Sequence, residues 1–426
     1  MKLKNIDRKW WKEAVVYQIY PRSFQDSDGD GIGDIRGIIN RLDYLKSLGV
    51  DVIWLSPCFA SPNDDNGYDV SNYREIMAEF GNMADFDEML AGMHERDMKL
   101  LLDLVVNHTS DEHEWFKQAR SSRDNPYRDY YHWWPAEKGT PPSRWSYFDE
   151  HANAWCYDKQ TDAYYLHYFA VKQPDLNWEN PKVREEVYDM MHFWFKKGID
   201  GFRMDVITFI SKHDGYPEFV EEYQGQNMID MYAKGPRLHE YLHEMNQKVL
   251  RHYDIMTVAE GPGTHIDNVL DLVDEAREEL NMSYHFDHQS IGVSDRGIVN
   301  EDFQNLVKFK QVMSQWDAAL SHKGWNTVYL GNHDMPRMVT RWASDAPEHR
   351  ASASKMLTTY LLSMRGTPYY YQGDEIGMSN IKFDSIDDYN DLMTKNWHTC
   401  TVNEGGDGEQ IINSHKLTGR DNARTP

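Results

Sequence analysis

A short phrase that occurs twice in this chain restricts its fold more than any other feature. In the first copy Ile38-Ile39, Leu42, Leu45 and Leu48 fall at helical spacing, Gly49 offers a residue at ease with positive φ, and Val50-Asp51-Val52-Ile53-Trp54-Leu55 follows as a buried strand. In the second, Asn180-Pro181 makes a good N-cap and first helical residue, and Val183, Val187, Met190 and Trp194 recur on one face. Gly198 then stops the helix and Ile199 to Val206 runs on as a strand. Further strand candidates stand at Val15–Tyr20, Leu100–Val106, Ile255–Glu260, Met282–Phe286, Thr327–Leu330 and Pro368–Tyr371, which makes eight. Eight parallel strands separated by helical pattern predict an α/β fold of the TIM (β/α)8 barrel type, with an open doubly wound sheet as the alternative.

At 426 residues the chain exceeds the ~250 at which one hydrophobic core stops growing, which suits a large barrel or more than one domain. From Thr109 to Lys172 it leaves the alternating pattern and becomes rich in Trp, Tyr, Pro and charge. That is too long for a structureless loop, so residues 109–172 are expected to form a small domain inserted after the third strand, over the barrel mouth. The barrel is then split into 1–108 and 173–426. Asn380 to Pro426, with GlyGlyAspGly at 405–408, reads as irregular, so no eighth outer helix is apparent and the barrel reads as incomplete. The net charge of −24 disfavours nucleic acid and anionic lipid as partners. Cys58, Cys156 and Cys400 show no disulfide or zinc spacing, and no run approaches the ~18 apolar residues of a membrane helix. A cytoplasmic protein is expected.

In a barrel of this kind chemistry sits at the C-terminal ends of the strands. There the sequence presents Asn107-His108 after the third strand, Arg203 and Asp205 on the fourth, Glu260 at the fifth and Asn332-His333-Asp334 after the seventh. Carboxylates at a buried mouth are costly unless paired, and paired carboxylates are the equipment of glycoside hydrolysis: one attacks the anomeric carbon, the other protonates the leaving oxygen. The aromatic-rich insertion fits, because aromatic faces pack on sugar rings. His108, His333 and the acids leave a metal-dependent barrel amidohydrolase as a rival, against which stands the lack of a His-x-His pair on the first strand.

Taken in order, Asp103-Leu-Val-Val-Asn107-His108, Gly201-Phe202-Arg203-Met204-Asp205, Glu260 after a strand and Asn332-His333-Asp334 resemble the four signature regions of the α-amylase family, glycoside hydrolase family 13. Gln173-Pro174-Asp175-Leu176-Asn177 resembles the extra signature of its oligo-1,6-glucosidase subgroup, whose relatives include dextran glucosidases, α-glucosidases and sucrose isomerases. Tyr17-Gln-Ile-Tyr-Pro-Arg-Ser-Phe24 and Gly373-Asp-Glu-Ile-Gly377 resemble the same subgroup. The resemblance implies that Asp205 is the nucleophile, Glu260 the general acid/base and Asp334 a third acid that holds sugar hydroxyls. It implies Tyr68 as a stacking platform, Asp65 as a clamp that closes the pocket to exo-action, Phe169 as a further aromatic wall and Arg420 among the substrate-binding residues. Arg203, on the same strand face as Asp205, is placed to keep the nucleophile ionised, and His108 and His333 to donate to hydroxyls. A strand puts Val206 on the opposite face from Asp205, where it still borders the aglycone space. In the subgroup Val here accompanies α-1,6 activity and Thr or Ala α-1,4.

The loop Asp26-Ser-Asp28-Gly-Asp30-Gly-Ile32-Gly-Asp34 alternates oxygen ligands as an EF-hand begins, but Gly37 stands where the bidentate Glu belongs. Alone it reads as a solvated acidic turn. The resemblance implies a structural Ca²⁺ on Asp26, Asp28, Asp30, Asp34 and the Ile32 carbonyl, and no organic cofactor. Where relatives often read Gly-Glu-Met-Pro-Gly, this chain has Ala259-Glu260-Gly261-Pro262-Gly263, and between His288 and Gly297 it lacks the Arg-Leu-Asp-Arg-Asp loop of sucrose isomerases. Relatives continue past the stretch ending Arg420-Asp-Asn-Ala-Arg424 into an eighth helix and a C-terminal β domain, which this chain does not show. The expectation is a retaining exo-α-glucosidase acting on short α-glucosides with α-1,6 preferred. The alternatives are a transglycosylase or isomerase of the family, or a non-catalytic subunit like the transporter heavy chains, which have a membrane helix and lack the acids.

Overall fold

The computed structural model describes residues 8–148, 153–218, 229 and 231–424; the first seven residues, 149–152 and 219–228, 230 and the last two lie outside it. Among the described residues eight strands form the main sheet: β1 Val16–Ile19, β2 Val52–Leu55, β3 Lys99–Val105, β4 Gly201–Asp205, β5 Met256–Glu260, β6 Met282–Tyr284, β7 Thr327–Val328 and β8 Thr367–Tyr371. They pair in parallel in the order β6-β5-β4-β3-β2-β1-β8-β7. A bridge between Ser283 and Asn326, and a hydrogen bond of 3.0 Å from Thr327 Oγ1 to the Ser283 carbonyl, bring β7 onto β6 and close the ring. The TIM barrel expected from the apolar runs is the observed fold.

Strand periodicity divides the core into two layers. Val16, Val52, Trp54, Leu101, Met256, Val258, Tyr284 and Tyr369 fill the lumen. Their neighbours Ile19, Ile53, Leu100, Leu102 and Phe202 pack outward beneath the helices. By the same parity Gln18, Asp103, Arg203, Asp205 and Glu260 belong to the inward series, and that is how polar side chains reach the barrel axis.

The helix Pro181–Lys197 begins where Asn180 caps it, its side chain accepting from Lys182 N at 3.0 Å, and ends at Gly198 with φ 109°. The other sequence phrase predicts one helix, but the structure has two, Ile35–Ile39 and Leu42–Ser47. Between them the chain tightens, with Arg41 N–H bonding three residues back to Ile38.

Within 109–172 lie a helix, Glu114–Ala119, and an antiparallel sheet in which Ala163–Leu166 is flanked by Trp133–Pro135 and Trp155–Asp158. His108 and Tyr131 bridge to Asp175 and Leu176, tying the insertion back to the barrel.

The stretch after β8 corrects the sequence reading. It is largely helical, with Leu392–Asn403, Gly408–Thr418 and Asp421–Arg424, the first two capped by Asp391 and Asp407. GlyGlyAspGly is the turn and cap between two helices rather than part of an irregular run. The period was hidden because the buried faces are mostly polar: Thr394, Cys400 and Thr401 on one helix, Ile411, Ser414 and His415 on the next.

Candidate active site

Strand register assembles the first part of the site. Asp103 lies beside Arg203, Arg203 beside Val258, and two residues further along the same register Asp205 comes level with Glu260. Arg203 then holds three acids at once: Nη1 is 2.8 Å from Asp103 Oδ1 and 2.6 Å from Asp205 Oδ1, and Nη2 is 2.7 Å from Glu260 Oε2. The second Asp103 oxygen accepts from Trp54 Nε1 and Tyr68 OH, both at 3.2 Å. Burial lifts the Asp205 carboxyl well above its ordinary range, with Glu260 and Asp103 adding to the lift and Arg203 opposing it. Asp103 is pushed up to about 6, again chiefly by burial. One guanidinium faces three buried carboxylates, so it offsets only part of the burial and repulsion that lift Asp205 and Asp103.

Asp334 sits in a different electrostatic setting. Arg420 Nη2 at 3.0 Å and Arg424 Nη2 at 2.6 Å share its Oδ1, while His333 Nε2 is 3.3 Å from Oδ2. Burial would raise this carboxyl, but the charges of Arg420 and Arg424 outweigh it and hold it well below the usual carboxylate range. The mouth therefore combines an acid group whose ionisation burial opposes with an acid that two arginines keep ionised.

Between them lies an aromatic floor. Tyr68 stacks on His333 with ring centres 5.5 Å apart, and its hydroxyl is 2.5 Å from His333 Nε2. Gln18 approaches the other nitrogen of that ring, Nδ1, at 2.7 Å, and burial pushes the imidazole down to about 3, so it is neutral. Asp65 accepts from Gln173 at 2.9 Å, and burial pushes it up to about 7 against the pull of Arg420 and Arg424. His108 meets Phe169 at 5.0 Å and directs Nε2 at the Tyr68 carbonyl at 3.1 Å, so it supports the floor.

Val206 is not an outward residue of a strand. β4 ends at Asp205, and Val206 turns into the left-handed region with φ 34° and ψ 40°. A β-branched residue is strained there. Its side chain packs in a cluster with Phe148, Phe169 and Phe209, and its N–H donates to Glu260 Oε2 at 3.1 Å.

Four residues here carried no assigned role in the sequence reading: Asp103, Gln173, Gln18 and Arg424. Asp103 and Gln173 lay inside quoted motifs, and Gln18 was signalled by being the polar member of an otherwise apolar strand. Arg424 gave no local signal, because only the helical tail brings it back to Asp334.

In the loop after β1, Asp26, Asp28 and Asp34 place ligand oxygens within 4.8 Å of one another. Asp30 stands outside that group and accepts from Ile32 N at 2.7 Å instead. The oxygen set suits a hard cation, with Asp30 the least supported of the expected ligands.

The alpha amylase catalytic domain model matches residues 18–426. The chain is 54% identical over 423 residues to the oligo-1,6-glucosidase of Bacillus cereus, and 55% over 427 residues to that of Parageobacillus thermoglucosidasius; each match covers 99% of this chain and 75% of the relative. It is 46% identical over 430 residues to the trehalose-6-phosphate hydrolase of Bacillus subtilis (strain 168), covering 100% of this chain and 75% of that protein. Among solved structures, the isomaltulose synthase SmuA from Protaminobacter rubrum superposes with a TM-score of 0.95 at 45% identity, covering 99% of this chain and 75% of that one. The trehalulose synthase MutB superposes with a TM-score of 0.94 at 46% identity, covering 98% and 75%. With four signature segments on one barrel mouth and these relatives along its whole length, the chain is a glycoside hydrolase of the α-amylase family.

Proposed function

We propose that this enzyme is a retaining, exo-acting α-glucosidase that releases glucose from the non-reducing ends of short α-glucosides, with isomalto-oligosaccharides preferred. The observation that carries the reading is the single guanidinium of Arg203 bonded to both Asp205 and Glu260, which sets a nucleophile and a proton donor side by side on adjacent strands. Asp205 attacks the anomeric carbon while Glu260 passes a proton to the leaving oxygen, and Glu260 then takes a proton from the incoming water. Asp334, kept ionised by its two arginines, holds ring hydroxyls and favours the oxocarbenium-like state. Tyr68 and Phe169 supply apolar walls, and Asp65, Arg420, His108 and His333 the polar ones. Val206 borders the aglycone side and biases linkage. The oligo-1,6-glucosidase relatives support this substrate class.

Isomerisation or transglycosylation is the second reading, favoured by the closeness to trehalulose and isomaltulose synthases, since a sugar hydroxyl competes with water for the same covalent intermediate. We further propose one structural Ca²⁺ on the Asp26–Asp34 loop and a cytoplasmic setting. Among the described residues no helix is long and apolar enough to cross a membrane. The deciding experiment is product analysis on isomaltose, maltose and sucrose. Glucose from isomaltose at the highest kcat/KM is the expected result; conversion of sucrose to an isomer without net hydrolysis would select the second reading.

A further inference from the structure

The loops after β2, β3 and β4 meet at His108, and the hydrogen bonds around its ring run in one direction only. Buried Lys212 has only hydrogens to give, and its Nζ lies 2.6 Å from Asp175 Oδ2 and 2.7 Å from Asn107 Oδ1. That contact identifies the two ends of the Asn107 amide: its oxygen faces Lys212, so its nitrogen, 3.1 Å from His108 Nδ1, is a donor. Nδ1 is therefore the unprotonated ring nitrogen. The proton belongs on Nε2, 3.1 Å from the Tyr68 carbonyl, which can only accept. Gln173 Nε2, 3.3 Å from the same ring nitrogen, is also a donor, and it directs one of its two hydrogens to Asp65 Oδ2 at the shorter distance of 2.9 Å. Burial pushes His108 down to about 4, with Asp175 raising it and Lys212 lowering it, so the ring is neutral and has a defined tautomer.

We propose that Lys212 and Asn107 are positioning residues that lock His108 in its Nε2–H tautomer and thereby fix the Tyr68 backbone beneath the sugar. With the proton on Nδ1, the Nε2 lone pair would face the carbonyl lone pairs of Tyr68. The Tyr68 ring would then lose its alignment on His333 and its hydroxyl contact to Asp103. The proposal rests on the glucosidase reading only in treating Tyr68 as the platform; the tautomer stands on the hydrogen bonds alone.

Asn107→Asp tests it. The carboxylate keeps an acceptor for Lys212, so the buried ammonium stays paired, but it has no hydrogen for Nδ1 and demands one from it. In histidine-labelled protein the nitrogen spectrum at about pH 8, where a neutral ring is expected, should show His108 as Nε2–H in the parent and Nδ1–H in the variant. KM for isomaltose should rise about tenfold, the worth of one hydrogen bond, with kcat changed less. Lowering the pH should shrink the KM defect, because a doubly protonated ring again donates from Nε2; a defect in packing would not respond in this way. Asn107→Leu, which removes the donor at Nδ1 and leaves the Tyr68 carbonyl alone to favour Nε2–H, should give a partly mixed spectrum and a smaller rise in KM. Nδ1–H in the parent, or a switched tautomer in Asn107→Asp with KM unmoved, would overturn the proposal. If the parent split no α-glucoside while the tautomers behaved as stated, the glucosidase reading would fall and the relay would stand.

Discussion

Replacing Arg203 by lysine is the most searching perturbation of this site. The guanidinium reaches Asp103 and Asp205 through one nitrogen and Glu260 through another, and its side chain is only 2% exposed. A lysine ammonium is a single point that, like Nη1, reaches at most two of these acids, leaving at least one buried carboxylate without its partner. Breaking a buried pair costs about 3–5 kcal/mol, which as lost transition-state stabilisation is roughly 10²–10⁴-fold in kcat/KM. The sign of the pH effect follows from the same contacts. Arg203 lowers both Asp103 and Asp205, so weakening it raises them and leaves less ionised nucleophile at a given pH. The acid limb of kcat/KM should therefore move to higher pH. The assay is kcat/KM on p-nitrophenyl α-glucoside from acid to neutral pH, with a melting curve recorded alongside to separate lost chemistry from lost fold. A folded Arg203→Lys enzyme that keeps more than about a tenth of the parent activity, with an unmoved acid limb, would refute the view that this guanidinium organises the acids.

Glu260→Ala should cripple glucosides with poor leaving groups far more than activated aryl glucosides, which need no proton; equal losses in the two series, compared by kcat/KM, would remove Glu260 from the role of acid. Burial pushes His285, which lies flat on Trp316, down to about 3, so the folded protein refuses a proton that the unfolded chain accepts below about 6.5. Its contribution is intact above that pH and is lost as the pH falls towards 3. Denaturant unfolding should show His285→Phe gaining about 2 kcal/mol over the parent at about pH 5 relative to about pH 8, and a gain independent of pH would contradict this. Removing divalent cations with a chelator should lower Tm, and Asp26→Asn should abolish that response; identical melting with and without chelator would count against calcium on the Asp26–Asp34 loop. Val206→Thr should shift the isomaltose-to-maltose ratio of kcat/KM by ~10–200-fold, the range for a methyl or hydroxyl in a pocket, and an unmoved ratio would sink the linkage assignment.

The residues by themselves determined the barrel and the identity of its acids. Helical spacing, glycine stops and runs of branched apolar residues are local properties, so β1 to β8 fall within a few residues of where the sequence placed them. Strand parity likewise commits Arg203, Asp205 and Glu260 to the inward series. What parity does not contain is how the charges share one another. That Arg203 serves three acids and that Asp334 answers to Arg420 and Arg424 depend on strand register and on a tail that folds back over the mouth. The tail helices were illegible because their buried faces are mostly polar, so the hydrophobic period that marks a helix in sequence was missing. Val206 makes the same point at one residue: a strand pattern predicts extended backbone, and only its packing with Phe148, Phe169 and Phe209 and its hydrogen bond to Glu260 hold it in the left-handed region, at φ 34°. The direction of the Lys212, Asn107 and His108 hydrogen bonds is likewise tertiary, because it is set by residues that are distant in sequence and brought together only when three loops meet.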